Sequence, residues 1–93
     1  MMLYLICYDV VQDRRRSRVS KVLEGYGIRV QKSVFECALN ADQYAMVQRR
    51  LGQLIEPEED QVRLYPMTEP IRRKTVILGQ KPSYAIDSTS FIV

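Results

Sequence analysis

The sequence contains no histidine. That removes the commonest general base and every Ser-His or Cys-His dyad, so any hydrolysis must rest on carboxylates, tyrosine, arginine or a metal ion. Cysteine is scarce, with only Cys7 and Cys37. Two cysteines build no disulfide framework, and without histidine they make a poor zinc site. Both read as small apolar residues inside strands. No apolar run approaches the ~20 residues a membrane helix requires. The first residues lack the basic region and the small-residue cleavage site of a signal peptide. The expectation is a cytoplasmic protein without membrane contact. Internal repeats and low-complexity tracts are also missing. With 93 residues there is room for a single domain and a modest core, a size at which chains often gain stability by associating.

What the sequence has in quantity is arginine. Ten of its fourteen basic residues are Arg, and the net charge is +3. The charge is uneven. Residues 1–35 hold seven Lys/Arg against three Asp/Glu, whereas residues 36–93 hold seven against eight. Arginine suits bidentate phosphate contacts, so a polyanionic partner and a basic surface serving only solubility are the two readings.

Leu3 to Val11 reads as a strand that is apolar on both faces, with Leu3, Leu5 and Cys7 on one and Tyr4, Ile6, Tyr8 and Val10 on the other. Such a strand must be covered on both sides. Asp13 is placed to cap a helix whose Val19, Val22, Leu23 and Tyr26 follow the i, i+3, i+4, i+7 pattern, with Gly25 and Gly27 as its stop. Arg29 to Leu39 reads as two short strands or one long bent one. Asn40, with Gln43 three residues on, forms a capping box for a second helix with a stripe of Tyr44, Val47, Leu51, Leu54 and Ile55. Pro57 closes it, and Glu56 to Asp60 reads as an exposed acidic loop. Val62 to Met67 is a strand, and Ile71 to Leu78 an edge-like strand. The tail carries Tyr84, Ile86, Phe91, Ile92 and Val93.

This order is α+β, the ferredoxin-like βαββαβ arrangement, with an additional C-terminal strand. The expected division is a domain over residues 1–79 and an interface-forming tail over residues 80–93. Both helices of that fold cover the same sheet face, yet the first strand is apolar on both. A second copy is the simplest cover, so we expect a homodimer packed through the sheets.

The stretch LICYDVVQDRRRSRV (5–19) concentrates the chemistry. Asp9 ends the strand, and Arg14, Arg15, Arg16 and Arg18 follow at the start of the helix. Cations at a helix N-terminus are unfavourable by ~0.3–1 kcal/mol each. Two readings explain them: an anion docks there, or they form a solvated face partly neutralised by Asp9 and Asp13. One aspartate holds Mg²⁺ poorly, but two copies of Asp9 meeting at a dimer axis could share an ion. The alternative for Asp9 is an acid that caps the turn or pairs with an arginine.

YDV (8–10), the arginine-rich helix start and LEGYGIRVQKSVFECAL (23–39) together resemble the small CRISPR-associated endoribonuclease family, the ferredoxin-like companions of the CRISPR adaptation integrase. The likeness runs over most of residues 1–79. It implies a metal-dependent phosphodiesterase acting on single-stranded RNA or double-stranded DNA, or an adaptor bridging integrase dimers. By this resemblance Asp9 binds Mg²⁺ shared between two subunits and Tyr8 precedes it. Arg16 and Arg18 lie near the substrate phosphate, and Arg29 and Phe35 affect activity. Ser33 faces the site, and Arg14 and Arg15 are further substrate-binding candidates.

Overall fold

A strand with apolar side chains on both faces belongs in the middle of a sheet, and β1 (Met2–Asp9) lies there. It pairs antiparallel with β3 (Val34–Leu39) on one side and with β4 (Gln61–Met67) on the other. An outer strand, β2 (Ile28–Gln31), joins β3 through the Lys32–Ser33 turn, giving the order β2-β3-β1-β4. Helices α1 (Asp13–Glu24) and α2 (Ala41–Leu54) connect β1 to β2 and β3 to β4. This is the ferredoxin-like arrangement that the element order predicts. The computed structural model describes residues 1–80 and 91–92.

Both helices pack on one sheet face. Ile6, Tyr8 and Val10 meet Phe35, Cys37 and Leu39 from β3, Val19 and Leu23 from α1, and Val47 and Leu51 from α2, and all are buried. Burying an aliphatic or phenylalanine side chain of this kind contributes ~1.5–3 kcal/mol. Tyr4 adds a stack on Tyr44 of α2, with ring centroids 3.9 Å apart and planes at 12°. Burial pushes the Cys37 thiol up to about 11, and the charge of Glu36 adds to the shift. Gly27 allows the chain leaving α1 to pass close to β3. A Cβ there would overlap the Glu36 carbonyl oxygen and the Cys37 sulfur.

Neither α1 nor α2 covers the opposite face. The register sets Ile28, Glu36, Leu5 and Tyr65 in one row across the four strands, and Val34, Cys7 and Arg63 in the next. Ile28 and Tyr65 are 37% and 41% exposed. No helix among the described residues is long and apolar enough to cross a membrane.

The start of α2 forms as read. The Asn40 side chain accepts the Gln43 N–H at 2.8 Å, and the Gln43 side chain accepts the Asn40 N–H at 2.9 Å. Three local readings need correction. Asp13 is the first helical residue of α1 rather than its cap. Gln12 stands at the cap without a side-chain bond, and the Asp13 carboxylate pairs with Arg16 at 2.6 Å. The Glu56–Asp60 loop is not wholly exposed, because the Asp60 side chain is fully buried against the start of α1. Residues 71–78 are not one strand. Pro70, in the first turn after Thr68, is preset for helix, and α3 (Glu69–Arg73) forms there. Only β5 (Val76–Ile77) is extended, and it pairs in parallel with β6 (Phe91–Ile92), the additional C-terminal strand, in a separate sheet. The expectations for Tyr84, Ile86 and Val93 fall outside the described residues.

Candidate functional site

Two neighbouring residues at the end of β1 face different surroundings, because successive strand side chains point to opposite faces. Tyr8 turns toward the helices. It is 6% exposed, its ring centroid lies 6.3 Å from that of Phe35, and its N–H donates to the Ser33 carbonyl at 3.0 Å. Asp9, opposite Gln61 of β4, is exposed on the sheet face away from α1 and α2. Among the described residues its carboxylate has no hydrogen-bond or ion-pair partner.

On the helix side a cleft of about 510 Å³ opens between α1 and the Lys32–Ser33 turn. Tyr8, Arg16, Ser17, Ser20, Lys21, Glu24, Arg29, Lys32 and Ser33 line it, four cations against one carboxylate. Arg29 is held in place there. Its Nη2 donates to Ser20 Oγ at 2.9 Å, and the guanidinium carbon sits 5.6 Å from the Phe35 ring centroid, a cation–π contact. Ser33 has φ 60°, a left-handed conformation uncommon for a residue with a Cβ. The cleft therefore gathers Tyr8, Arg16, Arg29 and Ser33, with Phe35 fully buried behind them.

The other arginines of the first helix go elsewhere. Arg15 is bound to Asp60 through Nε at 2.8 Å and to Glu59 through Nη2 at 2.8 Å. Arg18 lines a separate groove with Lys21, Val22, Arg50 and Leu54. Arg14 is exposed on α1 and borders neither. Arg16 itself binds protein: Nε donates to the Val10 carbonyl at 3.0 Å and Nη2 to the Val11 carbonyl at 3.2 Å.

The residue that sequence reasoning missed is Asp60. Its carboxylate accepts from Arg15 and from the backbone N–H groups of Val11 (2.9 Å) and Glu56 (2.8 Å). Arg15 first, and then those two amides, lower its carboxyl from 3.8 to about 2. Asp60 and Arg16 thus clamp the link after Asp9 from both sides, one taking the Val11 N–H and the other the Val10 and Val11 carbonyls. A repeating signal for Ser17, Ser20, Lys21 and Glu24 was available, since they share one helix face at spacings of three and four.

Among the described residues no three His, Cys, Asp or Glu side chains converge as a metal site. The end of β1 offers one unpartnered carboxylate, Asp9. A carboxylate is the right chemical type for Mg²⁺, and a second carboxylate must come from a second copy.

The profile of the family described as CRISPR associated protein Cas2 matches residues 2–75. The chain belongs to the Cas2 family. The match spans β1 through α3 and so contains Asp9, the cleft and the Asp60 clamp. The chain is similar to a Synechocystis protein named CRISPR-associated endoribonuclease Cas2 3, at 44% identity over 88% of this chain and 89% of the other. It is 40% identical to CRISPR-associated endoribonuclease Cas2 1 of Chloroflexus aurantiacus, over 99% of this chain and all of the relative. Among solved structures, Streptococcus pyogenes Cas2 superposes with a TM-score of 0.75 at 34% identity, covering 84% of this chain and all of that one. A chain of a partial Cas6-RT-Cas1–Cas2 complex superposes with a TM-score of 0.72 at 34% identity, covering 81% and 82%.

Proposed function

We propose that this Cas2 chain acts in CRISPR adaptation as a homodimeric, Mg²⁺-dependent endonuclease that cleaves phosphodiester bonds of single-stranded RNA or double-stranded DNA. The observation that carries the reading is the unpartnered Asp9 carboxylate on the sheet face that α1 and α2 leave uncovered, where Ile28 and Tyr65 are exposed. A second copy packed on that face covers Leu5, Cys7 and Tyr65 and brings a second Asp9 toward the first. The two carboxylates would hold the ion. Bound Mg²⁺ supplies Lewis-acid polarisation of the phosphate and a water of lowered pKa. The remaining work falls to the chain. The clamp by Asp60 and Arg16 fixes the backbone beyond Asp9, so the carboxylate is presented from a rigid strand end. Tyr8, tied to Ser33 and packed on Phe35, fixes the other side of that strand. The arginines of α1 and Arg29 attract the polyanion and stabilise added negative charge on phosphate. Names of relatives at 40–44% identity support nuclease activity.

Asp9→Asn tests this. Cleavage of labelled RNA and DNA should fall by about two orders of magnitude or more, with the dimer intact by light scattering. Cleavage at the wild-type rate would overturn the assignment.

A second reading has the dimer serve as a DNA-gripping adaptor between integrase dimers in the cytoplasm. Arg14, Arg18 and Arg50 favour it, because Arg18 and Arg50 line a groove separate from the cleft and Arg14 is exposed on α1 outside both. The Cas1–Cas2 composition of a structural neighbour agrees with such a partner. Asp9→Asn separates the two: spacer acquisition that survives the loss of cleavage selects the adaptor.

A further inference from the structure

The cleft on the helix side is built like an anion site, and two of its cations, Lys21 and Lys32, have no part in the site proposed at Asp9. Its cations come from three places: α1 supplies Arg16 and Lys21, β2 supplies Arg29, and the turn supplies Lys32. Arg16 is committed to the Val10 and Val11 carbonyls and Asp13. Lys21 and Lys32 have no hydrogen-bond or ion-pair partner among the described residues, although Glu24 lines the same cleft. Arg29 uses one nitrogen on Ser20, and its planar fork keeps further N–H donors available. Its position is fixed in advance by Ser20 and Phe35, so little side-chain entropy remains to be lost on binding. The Lys32–Ser33 turn holds a non-glycine residue at φ 60°. Strain of that kind persists where the surroundings impose it, and here the Tyr8 N–H does so through the Ser33 carbonyl. The volume, about 510 Å³, falls in the range of ligand-binding clefts.

We infer that this cleft is a second phosphate site, in which Lys21, Lys32 and Arg29 grip the backbone of a bound nucleic-acid strand on the sheet face opposite Asp9. The inference rests on the polyanion part of the proposed function and not on the metal. Ser17 adds a hydroxyl donor to the phosphate oxygens, while the Ser20 hydroxyl, donating to Glu24 at 3.5 Å, holds Arg29 in place. The site reads backbone and not sequence, since each contact is to charge and oxygen rather than to a base edge.

The test is fluorescence anisotropy with a labelled single-stranded RNA and a labelled duplex DNA of equal length. EDTA is present throughout, and the full-length protein is titrated across a range of salt. The double variant Lys21→Gln/Lys32→Gln should bind both probes about tenfold more weakly at physiological salt. Its log–log salt slope should fall by about 1.8 for the duplex and about 1.4 for the single strand, two phosphate contacts in each case. A control of equal charge, Arg49→Gln/Lys74→Gln, removes exposed cations elsewhere and should change the slope far less. The inference is overturned if the lysine variant matches the control, or if wild type shows no binding in EDTA. Cleavage at full rate by Asp9→Asn would instead defeat the metal assignment and leave the cleft result standing.

Discussion

The two long helices start in opposite ways. Helix α2 is closed by its own residues, Asn40 and Gln43, three positions apart in the chain. Helix α1 has no side-chain cap and carries Arg14, Arg15 and Arg16 where negative charge is favoured. Its first turn is secured by Asp60, 45 residues away from Arg15. The lesson is that a self-sufficient helix start needs nothing from the fold, whereas an arginine-rich one requires a carboxylate imported from another element. That import also ties the connection behind Asp9 to the loop before β4.

Removing the two supports should separate them by size. Asp60→Ala leaves Arg15 and the Val11 and Glu56 amides without their acceptor. The thermal midpoint should drop by roughly 10 °C or more, read by calorimetry. Asn40→Ala should cost only about 1 kcal/mol, a shift of roughly 4–8 °C. Equal losses would mean that the clamp is no stronger than an ordinary cap. The clamp should also be sensitive to acid and the capping box should not. The Asp60 carboxyl is depressed in the folded chain, so its contribution is fully present above its ordinary value of 3.8 and disappears as the pH falls toward about 2. Between pH 4 and 2, Asn40→Ala should lose stability as steeply as wild type, and Asp60→Asn less steeply. The smallest effect belongs to the turn between β2 and β3. Ser33→Gly should relieve the left-handed strain for a net gain of about 0.5 kcal/mol, after allowing for the freer glycine in the unfolded chain.

The same contrast explains what could be read from the chain. The α2 cap, the two apolar faces of β1 and the βαββαβ order depend on neighbours or on simple periodicity, and all were legible. Asp60 was not, because its partner is distant and a run of acids before a strand looks solvated. Residues 71–78 carry apolar residues that fit a strand, but Thr68-Glu69-Pro70 ahead of them is a helix start, and that local signal prevails over residues 69–73. At the site, the gathering of Tyr8, Arg16, Arg29 and Ser33 could be expected only through the family resemblance. Lys21 and Lys32 become neighbours of that group only when β2 folds back beside α1. The dispersal of Arg14, Arg15 and Arg18 to other surroundings likewise follows from tertiary packing, which a helical projection does not contain.

The placement of the two cysteines gives the molecule a built-in chemical reporter. Cys37, buried and with its thiol pushed up to about 11, stays protonated and inert toward alkylating reagents near neutral pH. Cys7 looks out from the sheet face that a second copy would cover, and it is half-exposed in the single chain. One thiol therefore serves as a silent internal standard while the other is open to reagent only when the chains are apart. Counting modified sulfurs by mass spectrometry over a dilution series would then give the dissociation curve without a label, a tag or a mutation.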